Sequence, residues 1–240
     1  MNIRFIIAFL LVIAPFAPSS HALEFRLLSW SGTIEDLKYT NGQKPIEVAA
    51  WDSALSPPYK FTGTGPLVFF REVLVDDKKV RVPVATLPPP EGITHAIILM
   101  AATDSSGQAY TAIWMNDSPE VRKAQTITYR NFSSYPVVIK LGTEEIPLDP
   151  KEVCTRTTNP ELQRLPLQIA ARTTTGWEVI SSLSQPIRPG LRTLVLLRDG
   201  RMQPSGIKAL VDCLAFNDLP PPPKPPADAA GAPGPSVASR

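Results

Sequence analysis

Gly92-Ile93-Thr94-His95-Ala96-Ile97-Ile98-Leu99 reads as a strand, and Gly190-Leu191-Arg192-Thr193-Leu194-Val195-Leu196-Leu197 repeats it 98 residues later. Outward from this pair the chain keeps repeating itself in the same order. Phe25-Arg26-Leu27-Leu28-Ser29 returns as Tyr129-Arg130-Asn131-Phe132-Ser133, at an offset of 104. Pro66 to Arg71 returns as Pro166 to Arg172, Ser106-Gly107 as Ser205-Gly206, and Asn116-Asp117 as Asn217-Asp218. Each match is weak alone, but their common order and near-constant spacing argue for a duplicated module. A period near 100 residues is too long for a solenoid repeat and suits two whole domains. This alignment sets His95 opposite Thr193.

The periodicity within each repeat is that of strands. Val137, Ile139 and Leu141 share one face, Leu167, Ile169 and Ala171 another, and Ile207, Ala209, Val211 and Cys213 a third. Period two with a polar opposite face is the mark of an antiparallel sheet half exposed to water. Prolines and glycines punctuate at short intervals and deny long helices their donors. The expected fold is all-β: two tandem, internally duplicated antiparallel β-sandwich modules of immunoglobulin-like type, with about seven strands each. Module 1 covers 23–119, with strands near 24–30, 45–50, 58–62, 66–72, 79–85, 94–101 and 109–115. Module 2 covers 120–219, with strands near 126–132, 136–141, 151–157, 166–172, 177–183, 191–198 and 206–214. Two short helices are expected, over 34–39 and 159–164, the second with Asn159 as cap and Pro160 in the first turn. Residues 220–240, opening with Pro220 to Pro223, hold almost no apolar bulk and read as a disordered, proline-rich tail.

The first 22 residues read as a secretory signal peptide. Arg4 is the positive n-region, Phe5 to Phe16 the apolar stretch, and small residues precede a cut after Ala22. The stretch is shorter than a membrane span and contains proline, and no cysteine follows the cut to carry a lipid. The mature chain is therefore expected outside the cytoplasm, in the periplasm or secreted, with no integral membrane segment. Removing Arg4 from 24 basic residues leaves 23 against 22 acidic ones, too balanced a charge to attract nucleic acid. In an oxidising compartment the two cysteines, Cys154 and Cys213, are expected to form a disulfide.

No catalytic constellation stands out. The mature chain has one histidine, His95, with no sequence feature that supplies a nucleophile and an orienting acid. Neither HExxH nor CxxC occurs, calcium-loop spacing is absent, and no phosphate-cradling glycine motif is present. No cofactor and no metal are expected. The one stretch with binding chemistry is Trp51 to Phe61, where Trp51, Tyr59 and Lys60 are candidate ligand-binding residues on a loop of a rigid sandwich. Trp30, Trp114 and Trp177 lie in strand patterns and are expected in the core.

Tyr129 to Ser133 leading into Val137 to Leu141 and Ile146-Pro147-Leu148, with the later Leu194-Val195-Leu196-Leu197-Arg198 run, resembles extracytoplasmic bacterial β-sandwich proteins that carry no assigned activity. The resemblance implies fold and address, and no functional residue. The reading is an exported, non-catalytic protein with a structural, assembly or adhesion role, whose partner would be an envelope protein or polysaccharide. Carbohydrate or peptide binding through Trp51–Phe61 is the alternative, and a secreted hydrolase a second one.

Overall fold

The computed structural model describes residues 22–30, 32–104, 106–201 and 209–220. The expected signal peptide and tail, apart from Ala22 and Pro220, lie outside them. Every regular element among the described residues is a strand. Module 1 runs β1 (Leu23–Ser29), β2 (Ile34–Asn41), β3 (Lys44–Ala50), β4 (Tyr59–Phe61), β5 (Leu67–Val75), β6 (Lys78–Leu87), β7 (His95–Ala102) and β8 (Tyr110–Asn116). Module 2 runs β9 (Thr126–Asn131), β10 (Val137–Leu141), β11 (Glu144–Leu148), β12 (Val153–Thr157), β13 (Arg164–Thr173), β14 (Gly176–Pro186), β15 (Arg192–Asp199) and β16 (Val211–Asp218).

The two modules have one topology. Sheet orders β4-β1-β7-β8 and β3-β2-β5-β6 in module 1 become β12-β9-β15-β16 and β11-β10-β13-β14 in module 2. The first strand of each module runs parallel to the seventh, and the other pairings are antiparallel. An immunoglobulin constant-type sandwich sets its first strand beside its second; here β1 lies between β4 and β7. Local details repeat as well. Each second strand ends in a hairpin whose turn opens on glycine, Gly42 at φ 64° and Gly142 at φ 63°, a conformation that costs glycine nothing. A β-bulge falls between Phe69 and Phe70 in β5 and between Ile169 and Ala170 in β13.

These landmarks fix the true register. Trp30 N–H donates to Met100 C=O at 2.7 Å and Phe132 N–H to Leu197 C=O at 2.8 Å, so the structural offsets are 102 and 97. The sequence match slips β9 by two residues and β15 by one. A one-residue slip exchanges the faces of a strand, and His95 in fact corresponds to Arg192, not Thr193. Two further expectations need correction. Residues 34–39 form part of β2 and not a helix, and 159–164 form a turn, with Leu162 N–H donating to Asn159 C=O. The strands 34–41 and 144–148 raise the count to eight per module.

Each sandwich has its own core. Phe25, Leu27, Leu37, Tyr39, Phe69 and Ile98 lead in module 1, and Tyr129, Ile139, Ile169, Val195 and Leu197 in module 2. A third apolar layer lies between the modules. Ile97, Leu99 and Met115 of module 1 meet Leu194, Leu196 and Phe216 of module 2, and these are structurally equivalent positions. Trp30 and its equivalent Phe132 close the layer edge to face, centroids 5.3 Å apart at 88°. The pattern is that of a two-fold, self-complementary interface formed within one chain. Four sheets are thus stacked face to face, and the outer sheet of each module carries the free surface.

Candidate functional site

Beside this apolar layer, β8 and β16 end on equivalent aspartates, Asp117 and Asp218, which three arginines draw together. Arg26 reaches Asp117 at 2.7 Å and Asp218 at 2.5 Å, and Arg192 reaches both at 2.8 Å. Arg122 bridges the same pair, bonding Asp117 and, at 3.0 Å, Asp218. Arg192 is fully buried and also donates to the carbonyls of Asp117 and Arg122. Burial alone would push the Asp218 carboxyl up, but Arg122, Arg192 and Arg26 overcome it and hold the group below its ordinary range.

A cavity of about 230 Å³ opens next to the network, lined by Glu24, Arg26, His95 and Asp117 among others. His95 is half-buried, and its Nδ1 lies 3.1 Å from the Thr94 hydroxyl. Asp117 is held by the arginines, so it does not serve as an orienting acid for the imidazole in the manner of a triad. Among the described residues no group of His, Cys, Asp and Glu could hold a metal ion.

The larger feature is an opening of about 730 Å³ in the outer sheet of module 1. Its cause is a single residue. Ile34 pairs with Ala50 and Leu37 with Val48, so β2 carries one residue too many between them, and Asp36 takes up the excess at φ 58°. A bulge of this kind bends its strand. The β2–β5 ladder is reduced to Lys38↔Phe70 and Tyr39↔Phe69. In module 2 the equivalent ladder runs unbroken from Val137↔Ala171 to Leu141↔Leu167. The bulge therefore splits the sheet of module 1 where that of module 2 is closed.

The split is apolar within and charged outside. Leu37, Val48, Tyr59 and Val73 line its depth, while Lys38, Glu47, Glu72 and Lys79 stand at its mouth. Lys38 spans the closed end, 2.9 Å from Glu72 and 3.3 Å from Glu47. Its hydrogen bonds to those carboxylates raise its pKa, and the same bond from Lys38 lowers that of Glu72. Beyond the split the β5–β6 ribbon carries Leu74, 72% exposed, with Val75, Val80 and Val82 also in solvent.

Of the residues expected to bind ligand, Tyr59 lines this opening, but its ring also packs on Phe25 at 5.7 Å and Tyr39 at 6.4 Å. Trp51 is half-buried, its carbonyl accepting from Ser29 N–H. Lys60 is exposed and its carbonyl accepts from the Tyr39 hydroxyl. The three do not converge on one surface. Trp30 and Trp114 are partly buried against the cores as expected, whereas Trp177 is 54% exposed on β14 and is not a core residue.

The expected disulfide is corrected. Both cysteines face the module 2 core, but Cys154 lies on β12 and Cys213 on β16, the opposite edges of one four-stranded sheet. Two strands intervene, so the separation is roughly 14 Å, against the about 4.4–6.8 Å between Cα atoms that a disulfide spans. Both are free thiols. Burial raises the pKa of Cys154 and pushes Cys213 up to about 11. Alkylation of unreduced, denatured protein should add two labels per chain, and labelling of the folded protein at neutral pH should be slow. A linked peptide spanning both residues would overturn the assignment.

No helix among the described residues is long and apolar enough to cross a membrane. No protein-family model matches the chain, and no curated protein matches it.

Proposed function

We propose that this is an exported, non-catalytic protein with a structural, assembly or adhesion role at the bacterial cell envelope. The observation that carries the reading is the join between modules. Equivalent apolar faces and a buried ionic cluster fuse two sandwiches into one block, a construction that holds two outer sheets at fixed spacing for partners to bind. The immunoglobulin-like comparison is carried only as far as two packed sheets per module. The export half of the reading rests on Arg4, the apolar stretch and the cut after Ala22. Fractionation of a bacterium producing the whole chain should place it outside the cytoplasm, with Leu23-Glu24-Phe25 as its first residues. Retention in the cytoplasm with an intact leader would sink that half. Turnover of ester, peptide or glycoside substrates that His95→Ala abolishes would overturn the non-catalytic half in favour of a hydrolase.

Ligand binding near Trp51–Phe61 is a second reading, favoured by the position of Tyr59 in the sheet opening. Stacking of a sugar on Trp51 has less support, because that ring is half-buried.

A further inference from the structure

We propose that the split between β2 and β5 is an acceptor for an extended peptide strand from another polypeptide. The inference goes beyond the assembly role and does not depend on it. Ile34 to Asp36 are held on one side by β3, and Glu72 to Val75 on one side by β6. Their other edges face the split without a strand partner, and among the described residues no side chain bonds to this stretch of main chain. Alternate backbone donors and acceptors of a strand point to each side, so each wall offers a row of groups at strand spacing. The ligand that matches two such rows is another extended backbone. Because β2 and β5 are antiparallel, it would run antiparallel to one wall and parallel to the other.

The side chains set its character. An inserted strand directs alternate residues to opposite faces. One face would meet Leu37, Val48, Tyr59 and Val73, and the other Lys38, Glu47, Glu72 and Lys79. The occupant is thus a segment of alternating apolar and polar residues without internal proline. The chain's own sequence from Pro220 to Pro226 is excluded, since proline has no donor for a ladder. A second copy is a poor donor as well, because each described strand already has its place in a sheet.

The test uses peptides of about six residues, long enough to span the open edge of β5. Blocked peptides alternating valine with threonine, lysine or glutamate are titrated into the mature protein, with hydrogen exchange read at 34–37 and 71–75. Saturable binding with new protection in both segments is expected. N-methylation of the alternate amides should weaken the best peptide at least tenfold with its side chains unchanged, and Leu74→Asp, a change at an exposed position, should do likewise. Failure of every peptide to bind at about 1 mM would overturn the proposal. So would equal affinity of the N-methylated peptide, or protection that appears instead at the open edge of β14.

Discussion

Asp218→Ala should destabilise the protein by about 3–5 kcal/mol, because removing one partner of a buried ion cluster leaves the others uncompensated. For a chain of this size that is a fall of roughly 6–20 °C in Tm, measurable by circular dichroism. Three guanidinium groups share two carboxylates, so the cluster already carries one excess positive charge. Arg122 Nε, buried, has no hydrogen-bond partner. Without Asp218 the fully buried Arg192 would keep only Asp117 as an ionic partner, with Arg26 and Arg122 competing for it. The pH dependence has a definite sign. The folded Asp218 carboxyl titrates below its model value of 3.8. Its stabilisation is complete above that value and is lost as pH falls through the lower folded pKa. The wild type should therefore lose stability on acidification below about pH 4, and Asp218→Ala should lack that share of the acid limb. A Tm shift under about 2 °C would mean that the cluster contributes little beyond its own desolvation.

Strand character was legible in the sequence because period two survives wherever one face is buried. It failed where the backbone inserts a residue. Ile34 and Leu37 are spaced as on a helix, yet both point inward from β2 because the Asp36 bulge converts a two-residue step into three. The same residue opens the candidate site, so the feature that misled the reading is also the feature of interest. The repeat was legible but its register was not. Loops of different length separate the strands, and apolar runs such as Ala96 to Met100 match themselves at neighbouring offsets. The disulfide failed for a related reason: alternation showed that Cys154 and Cys213 face inward, but strand order is a long-range property that alternation does not encode. The arginine cluster is drawn from β1, the inter-module segment and β15, and its one sequence trace was the repeat of Asn116-Asp117 as Asn217-Asp218. Tyr59 was found through its loop, while Lys38, Glu72 and Leu74, the rest of the opening, lie in ordinary strand patterns.

Leu196→Ala should cost about 2–5 kcal/mol, the range for truncating a fully buried leucine where the surroundings relax only in part. The location of the loss matters more than its size. Leu196 belongs to neither sandwich core; it packs in the layer between the modules, opposite Leu28, Ile97 and Leu99. If that layer and the arginine cluster join the modules into one cooperative unit, the truncation destabilises both. Hydrogen exchange can separate the cases, since the amides of Phe69 and Ile169 sit at equivalent positions in the two outer sheets, away from the layer. Both should lose protection by the same free energy, because each would open only with the whole block. Loss confined to Ile169 would show two domains that unfold independently. That outcome would remove the fixed spacing of the outer sheets on which the assembly role rests, and would leave the β2–β5 acceptor as a property of module 1 alone.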